Sequence, residues 1–87
     1  MFSTYVLLSK KDGRLYIGST GNLKKRIEEH EFGLVKSTRA RRPLVLVYKE
    51  DFDSKKEALA REMYFKGGGK ARKLLDELIK NFSNKGA

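Results

Sequence analysis

The apolar positions of this chain change their spacing from one segment to the next, and each spacing predicts an element. Thr4-Tyr5-Val6-Leu7-Leu8-Ser9 is rich in β-formers and too short for a helix, so it reads as a strand. Lys10 to Gly13 follows as a turn whose Asp-Gly pair is a strong hairpin signal, and Arg14 to Ser19 returns as a second strand. Asn22 is placed to cap a helix running to about Glu31, with Gly33 as its stop signal. Phe32 to Arg42 forms a basic loop, and Pro43 opens a third strand, Leu44 to Tyr48. Ser54-Lys55-Lys56-Glu57 matches a capping box, which predicts a second helix to about Phe65. Gly67-Gly68-Gly69 breaks it, and a last helix carries Leu74, Leu75, Leu78, Ile79 and Phe82 on one apolar stripe.

The order ββαβαα predicts an α+β domain, a small three-stranded, largely antiparallel sheet flanked by helices. One domain is expected over residues 1–82, with a flexible tail over residues 83–87.

Polar residues interrupt this pattern where a core should be. In the first helix Leu23, Arg26, Ile27 and His30 follow the spacing of a buried stripe. A guanidinium buried without a partner is expensive, so Arg26 either faces a cleft holding an anion or carboxylate, or is solvated on a slightly rotated helix. In the second helix Ala58, Leu59, Met63 and Phe65 span one apolar arc with Glu62 near its middle. That carboxylate needs a cation, either Arg26, a lysine or a metal, or it forms an ordinary ion pair on the helix border.

Strand alternation adds two tyrosines. A four-residue turn sets Tyr5 opposite Gly18 and Tyr16 opposite Leu7, which makes the tyrosines diagonal neighbours on one sheet face. Gly18 between them is expected to leave room for a phosphate to approach the backbone.

Composition narrows the partners. The chain has 87 residues and a formal charge of +9, which on so small a body attracts polyanions. Lys24, Lys25, Arg39, Arg41, Arg42 and Lys70 are the candidate phosphate contacts, with Gly18 beside them. Cysteine is absent, so thiolate metal sites are excluded, and a single histidine does not make a zinc site of the His/Cys kind. Gly67-Gly68-Gly69-Lys70 lacks the first glycine and the Ser or Thr of a phosphate loop. No apolar run approaches membrane-spanning length and no leader-like segment opens the chain, so no membrane partner and a cytoplasmic location are expected.

Taken as an ordered set, Tyr5, Tyr16-Ile17-Gly18, Arg26, His30 and a glutamate on a later helix resemble the GIY-YIG nuclease superfamily. The first motif stands as Ser3-Thr4-Tyr5 and keeps only its tyrosine, whereas Tyr16-Ile17-Gly18 is intact. Glu62 closes Glu57-Ala58-Leu59-Ala60-Arg61-Glu62, similar to the family's glutamate helix. The match runs from residue 3 to about 75, and the short chain is similar to the stand-alone bacterial members. The resemblance implies hydrolysis of phosphodiester bonds in DNA rather than RNA, with one divalent metal, Mg²⁺ or Mn²⁺. It implies Glu62 as metal ligand and Arg26 as holder of the scissile phosphate. Tyr16 would be general base, with Tyr5 and His30 orienting or assisting. The chain departs from the repair and homing members in having no asparagine over residues 71–77, and from some relatives in placing Ser19 where they use lysine. A second reading is a DNA- or RNA-binding module of the same fold that does not cut. A third is a ribosome- or RNA-associated basic protein whose polar residues are all structural.

Overall fold

The computed structural model describes residues 1–85. Its elements follow the expected order: β1 (Phe2–Ser9), β2 (Leu15–Thr20), α1 (Leu23–Glu31), a short 3-10 helix (Arg39–Arg41), β3 (Leu44–Phe52), α2 (Lys55–Lys66) and α3 (Lys70–Lys85). The helix α3 carries three residues of the expected tail, and Gly86 and Ala87 lie outside the described residues. The sheet is antiparallel with strand order β2-β1-β3. Among the described residues no helix is long and apolar enough to cross a membrane.

Local signals act where the residues put them. The Asn22 side chain accepts from Lys25 N–H, and the Ser54 side chain accepts from Glu57 N–H, so both helix starts satisfy an otherwise orphaned donor. Between α2 and α3 the chain passes through Gly68 and Gly69 at φ +73° and +60°, a conformation that disfavours any side chain. The hairpin takes the expected register, Tyr5 opposite Gly18 and Leu7 opposite Tyr16.

Two expectations about extent and orientation do not hold. The third strand continues four residues past Tyr48 to Phe52. The central strand β1 begins at Phe2 and needs a hydrogen-bonding partner along its whole length, so the polar stretch from Lys49 to Asp51 is recruited to pair with it. The helix α2 does not bury the arc of Leu59 and Met63. Both are exposed, and the side turned to the sheet holds Ala58, Arg61, Glu62 and Phe65. The reason is close packing. Thr4 Oγ1 donates to the Ala58 carbonyl at 2.6 Å, a contact that draws the helix against β1 and leaves room only for a methyl group.

Strand β1 therefore divides the domain. Its even-numbered side chains face α2 and α3, where Val6, Tyr48, Phe65 and Leu75 form the core, flanked by Leu15, Ile17, Val47, Leu78, Ile79 and Phe82. Its odd-numbered side chains face α1 and the loop after it.

Candidate active site

The second face of the sheet carries a hydrogen-bonded cluster beside the buried Leu7. Tyr5 is fully buried, and its ring crosses the edge strand over Gly18. A Cβ at Gly18 would lie 2.6 Å from the Tyr5 hydroxyl oxygen. Glycine is thus needed at this position to admit the tyrosine. The space expected for a phosphate at Gly18 is filled by Tyr5, so no backbone approach is open there.

Helix α1 lies across the two tyrosines and supplies Arg26 and His30. His30 is buried, with Nε2 2.9 Å from the Tyr5 hydroxyl and Nδ1 2.7 Å from Thr38 Oγ1. Its ring meets the Tyr16 ring edge-on at 5.1 Å and the Tyr5 ring at 5.7 Å. Burial, with the charge of Arg26 beside it, lowers the His30 pKa below 6.5, so the ring is neutral at pH 7. Burial likewise raises Tyr5 above 10, against the opposing hydrogen bond from Arg26, and keeps it a neutral phenol.

Arg26 is half-buried, between the two expectations. Its Nε donates to the Tyr5 hydroxyl at 3.4 Å, and Nη1 pairs with Glu29 at 3.1 Å. A recess of about 380 Å³ opens beside it, lined by Thr20, Gly21, Asn22, Lys25, Arg26 and Glu29.

Glu62 approaches from the other layer of the domain. Its Oε1 accepts from Ser19, the residue after Gly18 on the edge strand, at 2.7 Å, and its Oε2 pairs with Lys66 one turn along α2. Among the cations considered for Glu62, the structure provides a lysine. The carboxylate is close enough to contribute to the raised pKa of Tyr5. Tyr5, Tyr16, Arg26 and His30 thus gather on one face of the hairpin, while Glu62 is held by Ser19 on the α2 side of the same edge strand. Sequence reasoning passed over Thr38 and Lys66 and took Ser19 only as a departure. The signal available for Lys66 was its i+4 spacing from Glu62.

The expected phosphate contacts divide. Lys24, Lys25, Arg39, Arg42 and Lys70 are exposed. Arg41 is not free: it pairs with Asp12 at 2.9 Å, and its Nη2 is buried without a partner among the described residues. Its carbonyl also accepts from Ser9, so Arg41 fastens the hairpin turn to the 3-10 helix. Arg42 donates to the carbonyls of Arg39 and Glu31, and its guanidinium lies against Gly33. A separate recess of about 650 Å³ lies beside Lys11, Arg39, Arg42 and Pro43 and shares no lining residue with the tyrosine cluster.

The three-stranded antiparallel sheet thus carries the tyrosine pair on its central and one edge strand, with the arginine–histidine helix laid across them. Residues 1–74 match the model of the GIY-YIG catalytic domain, and the chain belongs to that family, whose members are generally nucleases. Within it, the chain is 46% identical over 76 residues to a UPF0213 protein of Staphylococcus haemolyticus, covering 85% of this chain and 93% of the relative. It is 52% identical over 64 residues to a UPF0213 protein of Clostridium perfringens, covering 71% and 69%. A UPF0213 protein of Bacillus licheniformis is 48% identical over 63 residues, which span 71% of this chain and just 65% of the relative. The solution NMR structure of a UPF0213 protein from Bacillus halodurans superposes with a TM-score of 0.51 at 36% identity, covering 86% of this chain and 81% of that one.

Proposed function

We propose that the protein is a metal-dependent endonuclease that hydrolyses phosphodiester bonds in DNA, acting in the cytoplasm. The observation that carries this reading is the cluster of Tyr5, Tyr16, Arg26 and His30 on one sheet face, with the Glu62 carboxylate held by Ser19 on the same edge strand and near enough to act on Tyr5. Phosphate binding alone has no use for that carboxylate.

The donor set suits a hard divalent ion held sparsely. Among the described residues no three of His, Cys, Asp and Glu form a ligand cluster; Glu29 is taken up by Arg26, and Glu62 is the carboxylate held at the strand edge by Ser19. Mg²⁺ or Mn²⁺ would be held by Glu62, keeping waters and taking further oxygens from the substrate. Bound there, the ion would lower the barrier by offsetting charge on the phosphate. Arg26 presents its fork to the non-bridging oxygens, releasing Glu29 as it does so. Tyr16 takes the proton of the attacking water and passes its own to solvent. Tyr5, kept neutral by burial, orients Arg26 and does not act as base. Lys24, Lys25, Arg39, Arg42 and Lys70 hold the backbone on either side without reading sequence.

A second reading, a binding module that does not cut, is favoured by the Glu62–Lys66 pair, which already neutralises the carboxylate. Incubation with single-stranded, duplex and branched DNA in Mg²⁺ or Mn²⁺, beside Glu62→Gln, separates the two. Metal-dependent cleavage by the parent and not by the variant supports the nuclease. Binding with no cleavage of any substrate supports the module.

A further inference from the structure

Thr38 is fully buried beside His30, and no step above uses either side chain. It stands at the N-cap position of the 3-10 helix, yet its hydroxyl makes no capping hydrogen bond there. A buried hydroxyl at a helix start ordinarily caps. Here, among the described residues, it bonds to His30 alone.

The directions of the hydrogen bonds follow from which groups can donate. The Arg26 Nε–H has no lone pair to offer, so at the 3.4 Å contact the Tyr5 oxygen accepts. That leaves the Tyr5 proton free to donate along the shorter, 2.9 Å contact to His30 Nε2. A neutral imidazole that accepts at one nitrogen carries its proton on the other. In that tautomer His30 donates from Nδ1 to Thr38 Oγ1, 2.7 Å away.

We infer that Thr38 is a positioning residue for the phosphate-binding arginine: its hydroxyl holds His30 in the Nδ1–H tautomer, His30 thereby captures the Tyr5 proton, and the Tyr5 oxygen is turned to Arg26 Nε. The inference rests on the proposed nuclease reading of the cleft. Three links carry the orientation from the loop after α1 to the cleft rim, and all three residues beneath Arg26 are buried, so water cannot substitute for a missing link. Without the Thr38 hydroxyl, Nδ1–H would be a buried unsatisfied donor, and the ring would relieve this by moving its proton to Nε2. Tyr5 would then receive a proton from His30 instead of giving one, and its own would swing toward Arg26 and repel it.

The chain has one histidine, so its imidazole nitrogens can be observed without assignment ambiguity. Nitrogen-15 spectra of the parent protein near pH 7.5 are expected to show a single Nδ1–H tautomer. Thr38→Val, which keeps the shape and removes the hydroxyl, is expected to shift the ring toward Nε2–H. It should also lower kcat for DNA cleavage about tenfold or more, with KM little changed. Thr38→Ser should restore both. A parent spectrum dominated by Nε2–H overturns the inference, even if Thr38→Val does not fold. So does a folded Thr38→Val with parental spectrum and rate. The spectrum decides the hydrogen-bond chain whether or not cleavage is found, and a parent protein that cuts no DNA overturns the nuclease reading alone.

Discussion

The two faces of strand β1 are built from the same alternating segment and do opposite work. On the side of α2 and α3, Val6 meets Phe65, Tyr48 and Leu75, and the polar groups there are paired: the Thr4 hydroxyl with a helix carbonyl, and Tyr48 and Arg61 with Glu50. On the side of α1, Tyr5 meets His30 and Arg26, and Ser3 and Ser9 donate to Asp51 and Arg41. Apolar burial is non-directional and tolerates compensation, whereas the hydrogen-bonded face is specified atom by atom. The comparison teaches how a small domain carries a polar cleft at all. It gathers its main apolar cluster on one side of a three-stranded sheet, and on the other sets polar groups beside Leu7. Glu62 is the exception, since it belongs to the core-forming helix and reaches the cleft only at the strand edge.

The sharpest break of the comparison is on the core side. Leu75→Ala empties a fully buried position and is expected to cost about 2–5 kcal/mol, a large part of the stability of a domain this size. Thermal unfolding should show a drop of ten degrees or more, with any surviving folded fraction cutting at the parental specific rate. A cleavage defect beyond the loss of folded protein would mean that the two faces are not separable.

Glu62→Gln tests the residue that belongs to both. Glutamine keeps the shape and the contact to Ser19 but is a poor magnesium ligand, so cleavage should fall at least about a hundredfold while melting and DNA affinity stay near parental. A structural ion pair with Lys66 predicts the reverse pattern, lower melting with activity falling in step. Cutting at the parental rate would sink the metal assignment.

On the cleft side, Arg26→Lys keeps the charge and loses the planar fork, so DNA binding is expected to persist while most cleavage is lost. Filter binding and turnover measured on one preparation decide it; normal turnover makes Arg26 a packing residue.

The smallest effect is a pH dependence, and it too separates the regions. The folded pKa of His30 lies below its unfolded value of 6.5. Above 6.5 the ring is neutral in both states and the contribution is complete. As pH falls below 6.5 the unfolded chain takes up a proton that the folded chain refuses, so stability declines until the folded pKa is passed. Melting between pH 7.5 and 5.5 should show this slope in the parent and not in His30→Gln. The Asp12–Arg41 pair responds later. Its carboxylate is held at about 2, so its contribution survives until the pH falls below 3.8 and is lost toward about 2.

Much of this was legible in the residues themselves. Alternation in two strands and a four-residue turn determine that Tyr5 and Tyr16 share a face, because strand periodicity is local and admits no other answer once the loop length is given. The caps at Asn22 and Ser54 and the break at Gly67 to Gly69 are equally local. So is the placing of Arg26 and His30 one turn apart.

Tertiary structure decided everything that depends on how one element meets another. The rotation of α2 was one such choice: counting apolar residues favours the arc of Leu59 and Met63, but the Thr4–Ala58 contact turns Glu62 and Arg61 inward instead. Arg61 then folds over the Phe65 ring and pairs with Glu50, a partner eleven residues away that no helical spacing suggests. The recruitment of Arg41 to Asp12, the filling of the Gly18 space by Tyr5, and the bond from Thr38 to His30 are of the same kind. A side chain's own sequence determines which partners it can accept. Which of them lies within 3 Å depends on the packing of distant segments, and only the folded chain supplies that.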